Sequence, residues 1–68
     1  MTQVQSDFIE KISQVNKNCI GNETAGNFVE FYDEDGVILM SCEKENNKLI
    51  FTFQDGSVYE YADKDLAS

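Results

Sequence analysis

Hydrophobic and polar positions alternate most clearly between Asn47 and Tyr61. Leu49, Phe51 and Phe53 interleave with Ile50, Thr52 and Gln54, and Val58, Tyr59, Glu60 and Tyr61 follow after Asp55-Gly56. Period two predicts strands, β-branched and aromatic residues suit them, and Asp-Gly between two such runs predicts a hairpin. A two-residue loop at Asp55-Gly56 would set Glu60 opposite Phe51, on the face of Leu49 and Phe53. Burying an unpaired carboxylate there is too costly. A three-residue loop, Gln54-Asp55-Gly56, with Gly56 at the left-handed bulge position, pairs Phe51 with Tyr59 and Leu49 with Tyr61. The expected faces are Leu49, Phe51, Phe53, Tyr59 and Tyr61 on one side, and Ile50, Thr52, Val58 and Glu60 on the other.

Asn27 to Cys42 repeats the arrangement around Asp35-Gly36. An even loop, either Asp35-Gly36 or the four residues Asp33 to Gly36, gives coherent faces. Val29, Phe31, Ile38 and Met40 then share the core side, and Phe28, Glu30, Tyr32, Val37, Leu39 and Ser41 the other. Glu43-Lys44-Glu45-Asn46-Asn47 reads as a polar turn between the hairpins. Gly21 to Asn27 reads as a loop, and it is no phosphate cradle because no Lys-Ser or Lys-Thr follows it.

Upstream, Thr2 and Gln5 stand in the capping-box relation. Val4, Phe8, Ile12, Val15 and Cys19 fall in one sector of a helical wheel with Ile9 at its margin, while Gln5, Glu10, Lys11, Gln14 and Lys17 face away. The pattern predicts a helix over Gln3 to Asn16, too short to be stable alone and therefore packed on the aromatic side of the sheet. Ala62 to Ser68 reads as a charged tail with a brief turn anchored by Leu66. The expected fold class is α+β: an N-terminal amphipathic helix on a four-stranded antiparallel sheet of two Asp-Gly hairpins, able to curl into a small, partly open barrel.

Length and composition narrow the chemistry. Sixty-eight residues make one domain, 1–68, near the lower limit for folding on a single core. Thirteen acidic against five basic residues give a net charge of −8, which argues against nucleic acid or anionic membrane as a direct partner. The absence of His removes imidazole-based triads and metal sites, and no cofactor is expected. Asp33-Glu34-Asp35-Gly36 fails as a calcium loop, since Gly36 comes too early and Lys44 stands where the terminal Glu belongs. Cys19 and Cys42 form no Cys-x-x-Cys pair and are expected as reduced, packed thiols. With neither an apolar run of membrane-spanning length nor a signal-peptide pattern, the expected location is the cytoplasm of the producing cell or of a host.

What remains is the sheet face away from the helix, apolar and aromatic residues set among carboxylates. It points to a non-enzymatic protein-binding module that docks on a partner with a basic surface. In its more specific form this is a phage-type inhibitor or DNA mimic that sets carboxylates where a nucleic-acid-binding protein expects phosphates. The candidate partner-binding residues are Glu30, Tyr32, Asp33, Glu34, Asp35, Leu39 and Glu60. The alternative is a self-associating structural module, a homodimer or ring without a hetero-partner.

Overall fold

A computed structural model describes residues 2–62. Helix α1 (Gln3–Asn18) precedes five strands, β1 (Gly21–Ala25), β2 (Phe28–Tyr32), β3 (Ile38–Glu45), β4 (Lys48–Phe53) and β5 (Val58–Ala62). The strands form one open antiparallel sheet in sequence order, so among the described residues β1 and β5 are its edges and no barrel closes. The domain is thus α+β, with five strands where the sequence pattern predicted four. The predicted turn at Leu66 lies outside the described residues.

The helix begins as expected. The Thr2 hydroxyl accepts from the Gln5 N–H, and the Gln5 side chain accepts from the Thr2 N–H. It runs two residues beyond the predicted end, and the Cys19 N–H closes it on the Val15 carbonyl at 2.8 Å. Phe8 is its anchor. The ring lies 4.9 Å from both Phe51 and Tyr61, 5.3 Å from Tyr59 and 6.0 Å from Phe53, all tilted or edge-on, the geometry that favours aromatic attraction. Among the described residues Met40 and Phe53 are the buried core.

Strand β5 pairs with β4 in the register argued from the Glu60 carboxylate, Phe51 opposite Tyr59 and Leu49 opposite Tyr61. Gly56 has φ +89°, the left-handed conformation that the bulge position requires. The connection between β2 and β3 departs from the even loop expected. Phe31 pairs with Met40 but Tyr32 with Ile38, so a bulge inserts Leu39 and leaves five residues, Asp33 to Val37, in the turn. The Asp33 carboxylate accepts from the N–H groups of Asp35 and Val37, folding the turn about itself in competition with the ladder.

Two further corrections concern polar stretches. Gly21 to Ala25, expected as loop, is strand β1, joined to β2 by the two-residue turn Gly26-Asn27, with Gly26 at φ +62°. Glycine at the first position of a two-residue hairpin turn has the twist that strands require. The polar turn expected over Glu43 to Asn47 shrinks to Asn46-Asn47, both at positive φ, and Glu43 to Glu45 extend β3 instead.

Candidate functional site

Register assigns every strand residue to a face. Val29, Phe31, Met40, Cys42, Lys44, Leu49, Phe51, Phe53, Tyr59 and Tyr61 share the side on which α1 lies. The opposite side, which no other described element covers, carries rows that cross the strands. One row runs Glu23, Glu30, Ser41, Thr52, Val58, and the next Ala25, Phe28, Glu43, Ile50, Glu60. Glu45 and Lys48 follow in a third row. With neighbouring strands about 4.8 Å apart and alternate residues about 6.7 Å apart along each, this makes a lattice of carboxylates around apolar side chains. Phe28, Ile38 and Val58 on this side are 36%, 39% and 55% exposed.

The candidate residues divide accordingly. Glu30 sits mid-face, directly opposite Glu23 on β1. Like charges at that position repel, so the pair is no aid to the fold. Glu60 lies on the same side at the β5 edge, its carboxylate 4.0 Å from the Lys48 ammonium. Tyr32 opposes Gly21, and its ring fills the space where a Gly21 side chain would stand, since an added Cβ would meet the hydroxyl at 2.7 Å. Asp33 is committed to its turn, while Glu34 and Asp35 are exposed beside it at one end of the sheet.

Leu39 is on the wrong side for this group. The bulge places it on the wall of an open cleft of about 600 Å³ between α1 and the sheet, with Phe53, Val15, Lys11 and Asp55. The cleft also overturns the expectation that Glu10, Lys11 and Gln14 face away from the sheet. Lys11 Nζ lies 2.6 Å from Asp55 Oδ2 and 6.0 Å from the Phe53 ring centroid. An ion pair and a nearby ring hold the long side chain against the sheet. The hydrogen bond to Asp55 raises the Lys11 pKa. The same bond, with two more from Ser57, holds the Asp55 carboxyl far below the usual carboxylate range.

Sequence reading missed Glu23, Glu43 and Glu45 as members of the acidic face, because it assigned them to a loop and a turn. The signal was there for β3: Ser41, Glu43 and Glu45 continue the alternation past Cys42. The two cysteines are free thiols. Cys19 donates to the Gly21 carbonyl at 3.2 Å, and burial raises the Cys42 pKa, which disfavours its thiolate. No described helix is long and apolar enough to cross a membrane.

Fold and surface together define a small α+β domain, one helix on an open five-stranded antiparallel meander whose other face, acidic and partly apolar, no other described element covers. Neither a family model, a curated protein nor a solved structure matches the chain.

Proposed function

We propose that the chain is a non-enzymatic protein-binding module that docks its acidic sheet face on a basic surface of another protein, in the manner of an inhibitor occupying a nucleic-acid site. One observation carries the reading: strand register gathers Glu23, Glu30, Glu43, Glu45 and Glu60 on one face that no other described element covers, with Lys48 the one cation that the described strands place on that face. Exposed apolar residues between the carboxylates supply contact area, and the carboxylates supply long-range attraction and orientation. The Glu23–Glu30 pair supports the reading further, since a surface selected for stability alone would not set like charges opposite each other.

The test is a titration against a panel of purified basic nucleic-acid-binding proteins, with duplex DNA as competitor. The expected result is mutually exclusive binding of the domain and DNA, with a Glu30→Gln, Glu43→Gln double variant weakened about tenfold. Binding that the double variant retains in full, or that coexists with bound DNA, refutes the charge-mimic mechanism.

A further inference from the structure

Strand β5 ends the sheet, so one side of Val58–Ala62 has no neighbouring strand among the described residues. Which backbone groups face that side follows from the preceding turn. The Phe53 N–H donates to the Ser57 carbonyl at 2.9 Å, marking residues 53 and 57 as a hydrogen-bonded pair. Bonded and non-bonded pairs alternate along an antiparallel ladder. Phe51/Tyr59 and Leu49/Tyr61 therefore exchange hydrogen bonds, whereas Thr52/Val58, Ile50/Glu60 and Lys48/Ala62 do not. The N–H and C=O groups of Val58, Glu60 and Ala62 consequently point outward, away from β4.

Natural edge strands are usually blunted by proline, lysine or a bulge. Val58-Tyr59-Glu60-Tyr61-Ala62 contains neither residue, and its pairing with β4 is unbroken. β1 at the other edge is Gly-Asn-Glu-Thr-Ala, without an aromatic or large aliphatic side chain to hold a neighbour. Two occupants compete for the β5 edge. A second copy using all the outward groups in a two-fold pairing would set Glu60 opposite Glu60, between two molecules of charge −8. A basic strand would set a cation there instead.

We propose that β5 takes up an extended basic segment of the partner as a sixth antiparallel strand, with Lys or Arg alternating with apolar residues. Cations then stand beside Val58, Glu60 and Ala62 on the acidic face, and the intervening apolar residues beside Tyr59 and Tyr61 on the helix side. This rests on the basic-partner reading above and gives it a docking mode.

The experiment measures binding of end-capped, fluorescent Lys/Val peptides by anisotropy. The alternating peptide is expected to bind roughly five- to tenfold more tightly than an isomer with Lys and Val in blocks. Val58→Pro, which removes an outward N–H while leaving the β4 ladder intact, is expected to lose a similar factor. A second arm leaves the protein unaltered. Methylating the peptide's Lys backbone nitrogens, which face β5 when those residues stand beside Val58, Glu60 and Ala62, is expected to abolish binding. Methylating the Val nitrogens is expected to leave it largely intact.

Equal affinity for both isomers, or equal loss from both methylation patterns, overturns strand addition. If the domain still binds basic proteins in that case, the acidic-face reading stands without it. Failure of every peptide and every basic protein to bind sinks both. A dimer by size exclusion with light scattering that Val58→Pro dissociates would show that a second copy occupies the edge, and would also overturn the proposal.

Discussion

Asp55 accepts three hydrogen bonds, from the Lys11 ammonium, the Ser57 N–H and the Ser57 hydroxyl, the last at 2.6 Å. Because these partners depress its folded pKa below the unfolded value of about 3.9, the stabilisation they provide is present above that value and is lost as pH falls toward the folded pKa. Asp55→Asn keeps a shape and an acceptor for Ser57 but has no proton to take up. The difference in urea midpoint between the native chain and this variant is expected to be largest near neutral pH and to shrink below about pH 4. Reading the difference matters, because protonating other carboxylates also relieves the repulsion of a −8 chain. A constant difference down to pH 2 would refute the ion-pair account. Tyr61 offers the opposite case. Its hydroxyl is buried and finds no hydrogen-bond partner among the described residues. Tyr61→Phe removes an unsatisfied polar atom and is expected to leave stability unchanged or raise it by up to about 1 kcal/mol; a clear loss in chemical denaturation would reveal a partner.

Between elements, the Phe8 ring fastens the helix to the sheet beside the Lys11–Asp55 ion pair. Phe8 touches four aromatic residues from β4 and β5, while Val4 and Ile9 of the same helix are about half exposed. Phe8→Ala is expected to cost about 3 kcal/mol or more in denaturant melts, and Phe8→Leu distinctly less; similar costs would mean the aromatic cluster contributes little. The same chemistry explains what could be read beforehand. The β4–β5 register was legible because large side chains had to share a face and a glutamate had to leave it. β1 was illegible because Asn22 to Ala25 are all exposed, so no burial imprints an alternation; pairing with β2 and a glycine turn make the strand. Leu39 was misplaced because a bulge beside the Asp33 turn breaks the period that the reading assumed. At the candidate face, Glu30, Tyr32 and Glu60 were found by strict alternation, and Glu23 was lost with the strand that carries it. Its pairing opposite Glu30 gives a test linking stability to binding. Glu23→Lys is expected to stabilise the domain by about 0.2–1 kcal/mol and to weaken basic partners. Stabilisation without weaker binding would place the partner elsewhere.

Over the whole molecule, the same charges act in opposite directions on folding and on association. A body of 32 × 29 × 22 Å holding a net charge of −8 repels itself, and its five Glu on one face concentrate the field there. The screening length is about 10 Å at 0.1 M salt, so carboxylates across neighbouring strands still interact while those at opposite ends do not. Added salt weakens repulsion within the domain and weakens attraction to a basic partner. Raising salt from about 50 to about 200 mM is therefore expected to increase the unfolding midpoint and, in parallel, to lower partner affinity by tenfold or more through a slower association rate. A purely apolar interface would respond otherwise, since salt does not screen buried hydrophobic contacts and dissociation would dominate its affinity. Thermal melts and stopped-flow association measured across one salt series separate the cases. Opposite slopes for stability and affinity match a face whose carboxylates are held at a cost to the fold. Affinity that is flat or rising with salt would instead assign the contact to the apolar residues alone and remove phosphate mimicry as its mechanism.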